Sequence, residues 1–164
     1  MADDLINKLA AQIKARDESA AKAQQIQLHK TEFIQTNCAQ WFHQFMDAFV
    51  GSAQALNKAL TGSASADPPI KAGIISPQQI SVTKDDFPAV RVNSLLDVRG
   101  MSVNVAASSA AQKGQTPKEW SLHLQFDVDA NNNLVLRSKP GTPTFQVSTP
   151  KELADSLMET VFSV

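Results

Sequence analysis

The sequence has a single cysteine, Cys38, and neither a long apolar run nor an excess of charge of one sign. One cysteine cannot form a disulfide within the chain. No apolar run approaches the ~18 residues that a membrane-spanning helix needs. The 15 basic and 16 acidic side chains nearly cancel, whereas duplex nucleic-acid binding usually requires a basic surface, because phosphate contacts supply most of the affinity. The composition therefore disfavours nucleic acid as a partner.

The start of the chain lacks the pattern of a secretory signal peptide. Asp3 and Asp4 stand where such a peptide carries basic residues, and no apolar core region follows them. With a lone cysteine and no spanning segment, the sequence predicts a cytoplasmic protein.

Proline and glycine are absent before Gly51. In this stretch, side chains on one face recur at steps of three or four residues, which is the spacing of an amphipathic helix. The pattern predicts a long helix over residues 19–61, preceded by a helical arm over residues 1–18. Polar residues interrupt the apolar stripe twice, so a helix that is broken near residue 17 or 27 is an alternative to a continuous one. The stripe of the long helix consists of Trp41, Phe45, Phe49, Ser52, Leu56 and Leu60.

The second half of the chain changes period. Residues 62–79 are rich in small residues and proline, which is the composition of a linker. Over residues 80–148, apolar and polar residues alternate, most clearly from Trp120 to Val128, which predicts an antiparallel sheet of four to six strands. A capping box at residues 149–152 then predicts a C-terminal helix over 149–164. The prediction is an α+β fold with residues 19–164 as a single domain.

No catalytic signature, metal cluster or phosphate-binding loop can be identified. His43 and Asp47 lie one helical turn apart, but two ligands do not make a metal site. The alternating acidic and amide residues at 127–133 match the start of a calcium loop, yet the glycine and glutamate that such a loop needs are missing. Cys38 has no adjacent base and is interpreted as a small buried residue. The sequence therefore predicts no cofactor, no metal and no enzymatic activity.

Two groups of residues are candidate binding surfaces. An aromatic cluster in the long helix is wider than one buried face requires, and Trp, Phe and Met are enriched at interface centres. We therefore consider it as an interface or a pocket wall, although a core role competes with this interpretation. It consists of Trp41, Phe42, Phe45, Met46, Phe49 and Val50. The second group is expected on an exposed face of the sheet and consists of Arg91, Arg99, His123 and Arg137.

The length of the first helix favours a function in protein interaction. Forty helical residues span ~60 Å, whereas a compact domain of this size measures ~40 Å across. We therefore expect self-association or a protein partner, in the manner of an adaptor, chaperone or inhibitor. The alternative is a small ligand bound in an apolar pocket between helix and sheet. A third hypothesis, nucleic-acid binding through the basic residues of the sheet, has less support from the neutral charge balance.

Overall fold

The computed structural model describes residues 2–61, 68–138 and 146–162. The chain divides into two compact units, Met1–Phe33 and Ile34–Val164. Helix α1, Ala2–Thr61, contributes residues to both units. It is followed by one sheet of seven antiparallel strands and a short helix, which confirms the predicted α+β class.

The seven strands form a meander in which every strand pairs with its neighbours in sequence. Helix α2, Pro150–Phe162, follows the last strand. The strands are β1 (Ile70–Ser76), β2 (Gln79–Lys84), β3 (Ala89–Asp97), β4 (Ser102–Ala110), β5 (Lys118–Val128), β6 (Leu134–Ser138) and β7 (Gln146–Val147).

The strand count exceeds the predicted four to six because residues 70–76, assigned to the linker over 62–79, form β1. This strand lies at the edge of the sheet and exposes both Ile74 and Ile75. It therefore lacks the alternation of buried and exposed residues that identifies the central strands. The other part of the predicted linker, residues 62–67, lies outside the described residues.

The first unit is helical throughout its described residues. All residues from 2 to 29 are exposed, and the helix continues through positions 17 and 27, where the sequence left a break open. Asp3 and Asp4 occupy the first turn, where negative charge interacts favourably with the helix dipole.

None of the helices among the described residues combines the length and apolarity that crossing a membrane requires.

The core of the second unit is made by one face of the sheet together with the buried faces of both helices. The strands supply alternate residues to this inner face, as in β3, where Val90, Val92, Ser94 and Leu96 are buried and the residues between them are exposed. Helix α1 buries eight side chains, all between Ile34 and Ala53. Four residues of α2, Leu153, Ala154, Leu157 and Val161, complete the core.

Local hydrogen bonds define the turn between β3 and β4 and the start of α2. Between β3 and β4, the Gly100 amide donates to Asp97 Oδ1 at 3.0 Å, and a Cβ at Gly100 would collide with the Asp97 carboxylate. At the start of α2, the Glu152 amide donates to Thr149 Oγ1 at 3.2 Å. The Glu152 carboxylate accepts from the Ser148 amide at 3.0 Å, so the two residues form a variant of the predicted capping box in which the return bond reaches the residue before the cap.

Candidate functional site

The aromatic cluster of α1 lies in the core of the second unit. Five of its six members are buried, and Val50 is half-buried. Trp41 contacts Phe126 of β5 edge to face, with ring centroids 5.4 Å apart and an interplanar angle of 88°. Phe45 contacts the rings of Phe42 and Phe49, each with a centroid distance of 5.4 Å. The cluster therefore presents little surface to a partner.

The four candidate residues of the exposed sheet face are all exposed, but they do not form one basic patch. Arg137 is paired with Asp127, with Nη1 and Oδ2 at 2.7 Å. His123 Nδ1 contacts the side-chain oxygen of Asn104 on the neighbouring strand. Arg99 lies in the turn between β3 and β4. Two of the four therefore already have polar partners, and the strand register places Arg91, His123 and Arg137 in three different cross-strand rows.

The side chains that could carry chemistry are not assembled into a reactive site. His43 Nε2 lies 3.3 Å from Asp47 Oδ2 on an exposed turn of α1. The Cys38 thiol is fully buried, and this burial raises its pKa, which outweighs the lowering effect of backbone hydrogen bonds. A buried thiol with a raised pKa is a poor nucleophile. Among the described residues, no three His, Cys, Asp or Glu side chains are grouped as metal ligands.

One strong surface feature lies on the first unit. Its helical residues expose large apolar side chains, with relative exposures between 47% and 61%. Four of them fall within about 100° of the helix circumference, because each residue advances the helix by about 100°. We call this set the N-terminal stripe, and it consists of Leu5, Ile6, Leu9 and Ile13. Ile26 and Leu28 are exposed further along the same unit.

The second feature is a cavity of about 720 Å³ within the second unit. It lies between the end of α1, the end of α2 and the nearest end of the sheet, so that the two helices and five strands contribute to its wall. We call it the end cavity. Its apolar wall is formed by Leu56, Leu60, Ile70, Val90, Val161 and Phe162.

A single row of residues runs across the sheet beneath the end cavity. In the strand register, Ile70 is opposite Lys84, Lys84 is opposite Val90, Val90 is opposite Ser109, and Ser109 is opposite Lys118. Directly opposed residues in antiparallel strands point to the same face. Since Ile70 and Val90 are buried on the inner face, both lysines also belong to that face, and both line the cavity.

Sequence reasoning missed these two lysines, although their positions carry a signal. Lys84 continues the inner series Ile80 and Val82 of β2, and Lys118 begins the even-numbered series that leads through Leu124 to Phe126 in β5. Each lysine thus occupies a strand position whose period predicts an apolar side chain. The aromatic pattern of α1 indicated a different candidate, the aromatic cluster, which lies in the core of the second unit.

Comparisons with known proteins give no match. No protein-family model, no curated protein and no solved structure is similar to this chain. The N-terminal stripe and the end cavity are therefore the features from which a function is inferred.

Proposed function

We propose that this chain is a non-enzymatic protein-interaction module that self-associates through the N-terminal stripe of α1. The observation that carries the proposal is the exposure of Leu5, Ile6, Leu9 and Ile13 on a helix whose described residues 2–29 are all exposed. A helix without tertiary contacts gains no stability from its apolar face. Burial of this face between chains would supply roughly 25 cal/mol for each Å² of apolar surface removed from water.

A second copy of the chain is a suitable occupant of the stripe because the segment that bears it is electrically balanced. Between residues 2 and 29, four acidic side chains accompany four basic ones, excluding His29. Two copies therefore meet without net repulsion. A strongly charged helix would instead require a partner of opposite charge. The spacing does not continue as a regular heptad, since polar residues interrupt the seam, so we expect a short helical interface and not an extended coiled coil.

The proposal is tested by light scattering on the full chain over a range of protein concentrations. We expect an oligomer that dissociates on dilution. The double variant Leu9→Glu/Ile13→Glu should be monomeric, because it places charge at the centre of the buried stripe. The matched control is Asn7→Glu/Ala11→Glu, which adds the same charge on the opposite side of the helix, about 200° from Leu9. This control should retain the oligomer.

Two results would contradict the proposal. One is a wild-type chain that stays monomeric at high micromolar concentration, and the other is an equal effect of the two double variants on the mass. Circular dichroism of each variant shows whether helix content explains a loss of association. If the stripe serves self-association, a crosslink between cysteines introduced at Leu9 of a Cys38→Ala chain should form only in the oligomer.

A further inference from the structure

We propose that the end cavity binds a small amphipathic anion, namely a carboxylate with an unbranched or weakly branched apolar chain. This inference is independent of self-association through the N-terminal stripe. The cavity and all of its lining residues belong to the second unit.

The size and wall of the cavity suit an apolar ligand body. Its volume of about 720 Å³ falls within the ~300–1,000 Å³ typical of small-molecule sites. Leu56 and Leu60 from α1, together with Val161 and Phe162 from α2, form its helical wall. Leu60 is 58% exposed although it lies against this hollow. The apolar surface left open here is what an alkyl chain would cover.

The charges of the residues that line the end cavity indicate which ligand head group it can bind. Two of the described lining residues are lysines, and none of those lining residues is acidic. Lys84 donates through Nζ to the backbone oxygens of Asp86 at 2.8 Å and Pro88 at 3.0 Å. Since an ammonium group has three donors, one remains for a ligand. Neither Lys84 nor Lys118 forms an ion pair with a described residue.

The arrangement of the two lysines favours a carboxylate. In the cross-strand row they are separated by Val90 and Ser109, so their long side chains approach the cavity floor from two sides. Ser109 lies between them and adds a hydroxyl donor. Each lysine forms a charge-assisted hydrogen bond with a carboxylate oxygen, and the apolar wall receives the chain. A phosphate head group carries a second negative charge, and removing that charge from water in this largely apolar setting costs more than desolvating a monovalent carboxylate.

The test is isothermal titration calorimetry of the full chain with decanoate and decylammonium below their critical micelle concentrations and with decanol below its solubility limit. Decanoate should bind at one site per chain, and decanol should bind about tenfold more weakly, since it keeps the chain but loses the charge-assisted bonds. Decylammonium should bind more weakly than decanol, because two lysines repel it. The affinity for decanoate should fall as salt is raised, in line with screening.

Variants locate the binding. Lys84→Met and Lys118→Met should each weaken decanoate binding by roughly tenfold and leave decanol unchanged, because they remove charge while keeping side-chain length. Lys151→Met is the matched control, since Lys151 is an exposed lysine at the start of α2 and does not line the cavity. Ser109→Phe adds volume to the cavity floor and should reduce the binding of both ligands.

Several outcomes would overturn the proposal. These are absence of decanoate binding, equal affinity for decanoate and decanol, and a Lys151→Met effect as large as that of the two lining lysines. Loss of decanoate binding in Leu9→Glu/Ile13→Glu would place the ligand on the N-terminal stripe and also reject the cavity. Retained binding in that variant, together with the two lysine effects, supports it. Thermal unfolding of each variant confirms that a folded protein was titrated.

Discussion

Asn57 of α1 makes two hydrogen bonds with the backbone of Ile70, the first residue of β1. Its Nδ2 donates to the Ile70 oxygen at 2.8 Å, and its Oδ1 accepts from the Ile70 amide at 2.9 Å. The side chain thus satisfies both polar groups of an edge-strand residue in the way that a neighbouring strand would. It also fixes the position of β1 relative to α1, next to the end cavity.

Replacement of Asn57 by alanine should lower the free energy of unfolding by about 1–2 kcal/mol. The loss of two hydrogen bonds, and the buried Ile70 backbone groups left without partners, outweigh the higher helix propensity of alanine. Urea denaturation of the full chain measures the effect. Gln54→Ala is the control, because this exposed residue is on the same helix and should change stability by less than about 0.5 kcal/mol. Equal effects of the two variants would contradict the role assigned to Asn57.

Replacement of Phe45 by alanine tests whether the aromatic cluster is core. Phe45 is fully buried between two other rings, so its truncation should cost about 3–5 kcal/mol. Ile26→Ala removes a side chain that is 59% exposed and should cost less than about 1 kcal/mol by the same urea measurement. A small loss for Phe45→Ala would mean that the cluster faces a partner and not the sheet.

Replacement of Ser94, a buried polar residue on the inner face, should stabilise the protein. Ser94 is fully buried opposite Ile80 and Val105, and its hydroxyl oxygen has no hydrogen-bond partner among the described residues. Ser94→Ala removes this desolvated group and should raise the free energy of unfolding by about 1 kcal/mol. The exposed Ser121→Ala serves as control in the same denaturation series. A destabilised Ser94→Ala protein would show that the hydroxyl is satisfied after all.

Cys38 should make stability depend on alkaline pH. Burial raises the pKa of its thiol in the folded state. The contribution of the neutral thiol to the free energy of unfolding is therefore fully present at any pH below the pKa that Cys38 has in the unfolded chain. As the pH rises above that value, the unfolded state loses its thiol proton first and becomes more favourable, so the free energy of unfolding falls. The decline should be smaller in Cys38→Ala, as measured by urea titrations at neutral and alkaline pH. Identical slopes would contradict the raised pKa.

Reaction of Cys38 with a thiol reagent offers a separate check of its burial. The native protein should react slowly at neutral pH, and the rate should rise together with unfolding in denaturant. Fast labelling under native conditions would mean that this part of α1 opens locally. A cysteine introduced at the exposed position Gln35 in a Cys38→Ala chain provides the rapid reference.

Regular periodicity made most of the fold predictable. The central strands alternate in burial, and α2 begins with the Thr149 and Glu152 capping box, so short-range patterns determine them. The edge strand β1 was missed because an edge is not buried on alternate residues. Its position depends instead on pairing with β2 and on the two bonds from Asn57, which are contacts between distant parts of the chain.

The candidate site was less predictable than the fold, because a site depends on which residues become neighbours. The helical spacing of the aromatic side chains in α1 indicated that they are buried. Spacing alone does not show whether such side chains are buried in the core or against a partner. Lys84 and Lys118 are far apart in sequence and share the cavity only through the register of three strand pairs. The sheet face on which each lysine lies follows from the alternation within its own strand. Their common position at the cavity depends on the order of the strands in the sheet.

The meander also determines how the chain can assemble during synthesis. Each strand pairs only with the strands before and after it, so every hairpin can close soon after its second strand leaves the ribosome, at a small cost in loop entropy. Helix α1 emerges before any strand, however, and Phe42, Phe45 and Phe49 have no sheet to cover them until later. The nascent chain therefore exposes this aromatic face until strands of the sheet have left the ribosome, and exposed apolar surface of this kind promotes aggregation during folding.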